Sequence, residues 1–175
     1  PCPDNCHWVG LDLRLLDFEG GTYGHALLDG VYPRIHFPTC WCVSRLPDEV
    51  MRNAEEAYRA ALLKGCPQAA DDGVFGPAVV GTCAYWAFTR LVNSLPGILE
   101  EDRPTDLGTA RQRIILRFEL SASAADEFGC LKAIGETAHQ VVATLRSRWK
   151  DAGEMPYYPA FQAQRLSGFA EGKMR

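Results

Sequence analysis

The sequence predicts a mainly α-helical protein with a short N-terminal β-hairpin, and three observations support this fold class. The stretches CHWVG and LRLLDFE alternate apolar and polar residues on either side of positions 10–12, as two strands joined by a turn do. Apolar residues recur every three to four positions from 50 to 62 and from 128 to 149, which indicates helices with one buried face. Positions 74–95 are apolar on nearly every side, which predicts a central buried helix.

Turn and capping residues predict where the first helices lie. Residues 25–35 form a weak helix candidate, because Pro33 falls inside it. Pro47 and Asp48 suit a helix start, and Gly65 suits a helix stop. A firm helix is therefore predicted from Asp48 onward.

The later helices are predicted from the same kinds of signal. Pro96 is expected to end the central helix, because proline lacks the N–H that a helix interior needs. Residues 109–120 predict a further helix. Ser123 with Asp126 resembles the cap of the helix after that.

The chain is predicted to be a single domain spanning residues 1–175. Its length suits one domain, and 47% apolar with 23% charged residues is ordinary for a globular protein. We divide it into a loop and hairpin at 1–19, a helical lobe at 22–150 and a loosely packed tail at 151–175.

Composition also restricts the expected partners and location. The net charge of −4 argues against nucleic acid as a partner. No apolar run approaches the roughly 18 residues of a membrane span, so no membrane partner is expected. The chain has seven cysteines, which is an odd number, and it shows no recognisable leader sequence. Both observations predict free thiols in a reducing, cytoplasmic environment.

Asn5 and Asp17 are the candidate metal ligands. Asn5 precedes the first predicted strand and Asp17 ends the second, so the hairpin would bring their side chains together. Phosphoryl transfer from ATP uses an Asn and an Asp to hold Mg²⁺, which prefers hard oxygen ligands. In that pattern the catalytic base is an Asp five residues before the Asn, a position that falls immediately before Pro1.

The segments PCPDN and LRLLDFEGGTYGHALLD resemble the aminoglycoside phosphotransferase family, a branch of the protein-kinase-like fold. The resemblance implies that Asn5 and Asp17 bind Mg²⁺ and that Asp29 supports their loop by hydrogen bonds. It implies that residues 1–175 correspond to the C-terminal lobe of that fold. The implied reaction transfers the ATP γ-phosphoryl to a hydroxyl of an aminoglycoside-like or other small alcohol.

The sequence departs from this family in two respects. The His-x-Asp of the catalytic loop and the N-terminal lobe with its ATP-binding Lys are absent from these 175 residues. We therefore expect the parent protein to be the ATP-dependent enzyme and this chain alone to be inactive. The missing N-terminal lobe is then an expected partner.

Other groups of residues give weaker signals. The acidic runs at 55–56, 71–72 and 100–102 could line a pocket for a polycationic sugar, but such runs more often form a solvated face. His25 more often serves a helix start than a substrate. Several cysteines and histidines invite a zinc site, although their spacing matches no paired Cys-x-x-Cys ribbon; they are Cys2, Cys6, His7, His25, His36, Cys40 and Cys42.

Two alternatives from other classes of protein stay open. One is a non-catalytic helical module that binds a small cation or a partner protein. The other is a module that self-associates through the edge of its hairpin or through its aromatic tail.

Overall fold

The computed structural model describes residues 2–18, 21 and 23–162, and this part of the chain is mainly helical with an N-terminal hairpin, which confirms the expected fold class. Its four strands are β1 (Cys6–Val9), β2 (Asp12–Leu15), β3 (Pro104–Thr105) and β4 (Gly108–Thr109). Its six helices are α1 (Leu27–Gly30), α2 (Asp48–Leu62), α3 (Asp72–Glu100), α4 (Ala110–Phe128), α5 (Lys132–Arg148) and α6 (Pro159–Gln162). The 3-10 turns are Pro3–Asn5 and Pro67–Ala70.

The N-terminal hairpin stands apart from the helical core. β1 and β2 pair antiparallel, with Cys6 opposite Leu15 and Val9 opposite Asp12. Gly10 lies in the turn with a φ of +64°, a conformation that glycine adopts without a side-chain clash. Every residue from 7 to 18 is exposed. Both faces of this hairpin are therefore open to solvent or to a partner.

The central helix α3 continues through its second proline. It buries one face in the core, including Val79 and Cys83, neither of which is exposed. The predicted end before Pro96 is wrong, because α3 extends to Glu100 with Pro96 inside it. Ile98, beyond that proline, is only 7% exposed and packs in the core. This burial holds the last turn despite the lost N–H donor.

Helices α4 and α5 meet at a glycine rather than at the predicted cap. Thr109 and Gln112 form a capping box that starts α4. The cap predicted from Ser123 and Asp126 is wrong, since both residues lie inside α4. Core residues between them keep the chain helical until Gly129, which ends α4 with a φ of +60°.

Helix α2 has the predicted start and length, but its inner face is more polar than its apolar spacing suggests. Met51 is its one fully buried residue. The Arg34 side chain is 3% exposed and forms ion pairs with Glu55 of α2 and Glu127 of α4. A charged network therefore joins α2 to the rest of the lobe.

The first part of the tail packs firmly. Met155 is 3% exposed, and the carbonyl of Pro156 accepts hydrogen bonds from the Ser44 hydroxyl and from the Arg45 backbone at 2.8 Å. The expectation of loose packing is therefore wrong for these residues. The remainder of the predicted tail, residues 163–175, lies outside the described residues.

Candidate functional site

The hairpin brings the two predicted metal ligands together. The Asn5 side chain donates a hydrogen bond from Nδ2 to Asp17 Oδ2 at 3.1 Å, across 12 residues of sequence. The backbone N–H of Leu16 donates to the Asn5 carbonyl at 2.9 Å and holds the two ends of the hairpin side by side. The contact therefore follows from strand pairing.

The backbone of Asp17 is in an unusual conformation. Its φ is +62°, in the left-handed region that few residues other than glycine adopt. Asp and Asn tolerate this region better than other residues, because their short side chains bond locally. Residues in such conformations concentrate at functional sites, so the backbone adds weight to the side-chain contact.

The chemistry of the pair fits a hard cation. Asp17 is exposed and offers a carboxylate, and Asn5 is half-buried and offers an amide oxygen. Mg²⁺ usually takes one or two protein oxygens and fills its other positions with water and phosphate oxygens. Asn5 and Asp17 together thus offer two hard oxygen ligands, the kind that Mg²⁺ prefers.

Asp29 lies in the first turn of α1 and is exposed. In the described part of the chain, its carboxylate makes no hydrogen bond to the loop at 2–5. It acts electrostatically on Tyr58, whose pKa is raised chiefly by burial and further by this charge. The supporting role implied for Asp29 stays a prediction. His25 accepts a hydrogen bond from the Leu27 N–H at 3.2 Å, which is the helix-start role expected for it.

The acidic runs have structural contacts rather than a shared pocket. Glu55 pairs with buried Arg34. Asp71 caps α3 by accepting from the Gly73 N–H at 2.8 Å, and Asp102 accepts from the Arg111 N–H at 3.0 Å. Asp72 also pairs with Arg59 at 2.6 Å, so these contacts occupy both residues of the second run and one residue of each other run, and they leave little support for a polycation pocket there.

A cluster of thiols lies just before the hairpin. Cys2 and Cys40 are joined as a disulfide, so the expectation of free thiols is wrong for this pair. The Cys42 sulfur lies 4.0 Å from the Cys2 sulfur. Cys40 is buried as expected for a small apolar residue, but Cys42 is only half-buried. Cys2, Cys40 and Cys42 were all among the candidate zinc ligands, but no spacing in the sequence indicated that these residues, 38 to 40 positions apart, would meet.

Two arginines hold the segment that carries Cys40 and Cys42, and their role was missed in the sequence. Arg113 donates to the Cys40 carbonyl, and Arg117 donates to the Pro38 carbonyl at 2.7 Å. Arg117 is 8% exposed, and this burial lowers the pKa of its guanidinium. Their position among the apolar residues of α4 was the available signal for burial. Together they fix segment 37–43 against α4.

No family model matches the chain, and no curated protein matches it. Of the helices that the structure describes, none has the length and apolar character required to cross a membrane.

Proposed function

We propose that this chain is the metal-binding, helical lobe of an ATP-dependent phosphotransferase that acts on an alcohol group of a small molecule. The proposal is supported above all by the contact between Asn5 and Asp17 at the open end of the hairpin. The unusual backbone of Asp17 and the exposure of its carboxylate add to that support. The resemblance to aminoglycoside phosphotransferases supplies the reaction and the substrate class.

In this proposal each residue of the pair has a defined task. Asp17 and Asn5 would hold Mg²⁺, which would supply positive charge to offset that of the phosphates. Positioning and charge neutralisation are nearly the whole of catalysis in phosphoryl transfer, so both residues act by placement. The proton of the attacking hydroxyl goes to an Asp expected immediately before Pro1. The protein that works as a kinase is therefore expected to include that Asp and a nucleotide-binding lobe.

Metal binding gives the direct test of the site. We expect this chain to bind Mn²⁺, used as a paramagnetic probe for Mg²⁺, and to broaden the NMR signals of Asn5 and Asp17 first. Loss of an outer hydrogen-bond partner alone costs about 10- to 100-fold in metal affinity, so Asp17→Asn is expected to cost at least about tenfold. Asp12→Asn is the matched control, because Asp12 is an exposed carboxylate at the opposite end of the same hairpin. Equal Mn²⁺ affinity of the two variants would contradict the proposed site.

Activity gives the second test. A chain extended upstream through the expected His-x-Asp is assayed for ATP consumption with a panel of aminoglycosides, choline and homoserine. We expect turnover that Asp17→Asn abolishes and Asp12→Asn preserves. An extended chain that folds, binds Mn²⁺ at Asp17 and phosphorylates none of these alcohols would leave the metal site standing and contradict the reaction.

A second candidate function is association through the hairpin, and one observation favours it. The hairpin and the adjoining residues expose large apolar side chains, and such surfaces mark protein contacts; they are Trp8, Val9, Leu11, Leu13, Leu15, Leu16 and Phe18. Sedimentation equilibrium tests this idea. We expect concentration-dependent self-association that the double substitution Trp8→Ser and Leu13→Ser removes, and a monomer at every concentration would contradict it.

A further inference from the structure

Three sulfur atoms and one carboxylate meet beside the 3-10 turn that precedes the hairpin. The Cys2 sulfur is bonded to Cys40 and lies 4.0 Å from the sulfur of Cys42. The ligand atoms of Cys2, Asp4 and Cys42 all lie within 4.8 Å of one another. Three potential metal ligands from two distant segments therefore share one small volume, and the sulfur of Cys40 is bonded to one of them.

The fold holds both halves of this cluster in place. Cys40 is 3% exposed within a core cluster that includes Leu116 and Met155, and Arg113 donates to its carbonyl. On the other side, the 3-10 turn is closed by the Asn5 N–H, which donates to the Cys2 carbonyl at 2.9 Å. The meeting of the sulfurs is therefore set by packing and hydrogen bonds as well as by the disulfide.

We propose that the reduced form of this cluster binds one Zn²⁺ through Cys2, Cys40 and Cys42, with Asp4 as the fourth ligand. Three thiolates and a carboxylate suit zinc, which takes sulfur and oxygen ligands in tetrahedral sites, and do not suit Mg²⁺. The site is separate from the Asn5–Asp17 pair and does not depend on the phosphotransferase proposal.

The chemistry of loading has two steps. A dithiol reductant opens the Cys2–Cys40 bond by exchange: two electrons and two protons pass from the reductant, two thiols form, and the reductant leaves as its own disulfide. Zn²⁺ then binds the three sulfurs as thiolates and releases their protons to solvent. Bound zinc would clamp the turn that carries Asn5 against segment 37–43.

Cobalt substitution tests the site in the whole chain. The protein is reduced with a dithiol, freed of reductant under nitrogen and titrated with Co²⁺ as a spectroscopic probe. We expect uptake of one Co²⁺ with a thiolate charge-transfer band in the near ultraviolet, and displacement of the Co²⁺ by Zn²⁺. Cys42→Ser is expected to lose most of that band and at least about tenfold in affinity. Absence of uptake by the folded, reduced protein would overturn the proposal.

Three further variants make the result specific. Cys66→Ser is the matched control, because Cys66 is a half-buried free thiol that bonds its neighbour Gln68, and its variant is expected to bind Co²⁺ like the original chain. Asp17→Asn is also expected to leave the band unchanged, which separates this site from the Mg²⁺ site. Asp4 is exposed, so Asp4→Asn should fold even if Cys42→Ser does not. Asp4→Asn is expected to weaken Co²⁺ binding and keep the thiolate band, and unchanged affinity would overturn the assigned ligand set.

Discussion

The helical lobe and the N-terminal hairpin place their side chains in opposite ways. In the lobe, Arg34 is 3% exposed and has two glutamate partners, and Phe118 is fully buried. In the hairpin, Arg14 pairs with Asp12 at 3.6 Å with both side chains mostly exposed, and Phe18 is 71% exposed. The side chains of the lobe thus pack against and pair with one another, and these contacts stabilise the fold. The hairpin leaves its groups available for a ligand or a partner, and this difference is what makes the hairpin the candidate site.

The largest expected difference in the free energy of unfolding is between alanine substitutions of two phenylalanines, Phe118 in the lobe and Phe18 after the hairpin. Phe118→Ala is expected to lower the free energy of unfolding by about 3–5 kcal/mol, because it opens a cavity beside Phe88, whose ring lies 5.0 Å away. Phe18→Ala is expected to change it by less than about 0.5 kcal/mol, since that ring is largely exposed. Urea unfolding with unchanged m-values measures both. A large loss from Phe18→Ala would mean that the hairpin packs on the lobe.

Arg34 in the lobe and Arg14 in the hairpin are expected to differ by a similar amount in their contribution to the free energy of unfolding. Arg34→Met is expected to cost about 3–5 kcal/mol, because Glu55 is left as a nearly buried charge without its partner. Arg14→Met is expected to cost less than about 1 kcal/mol, as an exposed ion pair contributes little. Thermal or urea unfolding at low and high salt separates the two. Equal costs for the two variants would contradict the difference drawn between hairpin and lobe.

A buried histidine should make the lobe sensitive to acid. Burial, reinforced by Arg45, lowers the pKa of His36 to about 3, against an unfolded value near 6.5. Between pH 6.5 and 3, the unfolded chain therefore binds a proton at His36 that the folded chain does not bind. Stability present above pH 6.5 is lost as the pH falls toward 3, at about 1.4 kcal/mol per pH unit.

The substitution His36→Asn tests this dependence. Asparagine tolerates the positive φ of 53° at this position and can accept the hydrogen bond that His36 Nδ1 now takes from the Leu46 N–H. We expect the free energy of unfolding of the variant to fall less steeply with decreasing pH, by the contribution of one proton. An unchanged slope would show that other groups cause the acid sensitivity.

The smallest expected effect compares two glycines inside helices. A Cβ at Gly135 of α5 would lie 2.8 Å from the Cβ of Ala125 in α4, so Gly135→Ala is expected to cost about 1–3 kcal/mol. A Cβ at Gly81 of α3 meets nothing within 4 Å, and Gly81→Ala is expected to stabilise by about 0.5–1 kcal/mol. Opposite signs in urea unfolding would establish that α4 and α5 pack closely at Gly135.

The parts of the fold that depend on near neighbours could be predicted from the sequence. The hairpin and the start of α2 lie where alternation, glycine and proline indicated. The contact of Asn5 with Asp17 follows from the same local pairing. The predicted helix end at Pro96 and the predicted helix cap at Ser123 and Asp126 were wrong, because burial of Ile98 and of the alanines between Ser123 and Asp126 outweighed the local signal.

By itself, the sequence determined the hairpin, the start of α2 and the pair at the open end of the hairpin, because contacts between residues nearby in the chain fix all three. Only the tertiary structure decided which distant residues meet. Arg34 reaches glutamates 21 and 93 positions away, and Cys2 reaches Cys40 and Cys42. Such meetings depend on how the whole set of helices packs, and packing has no short sequence period from which it can be predicted.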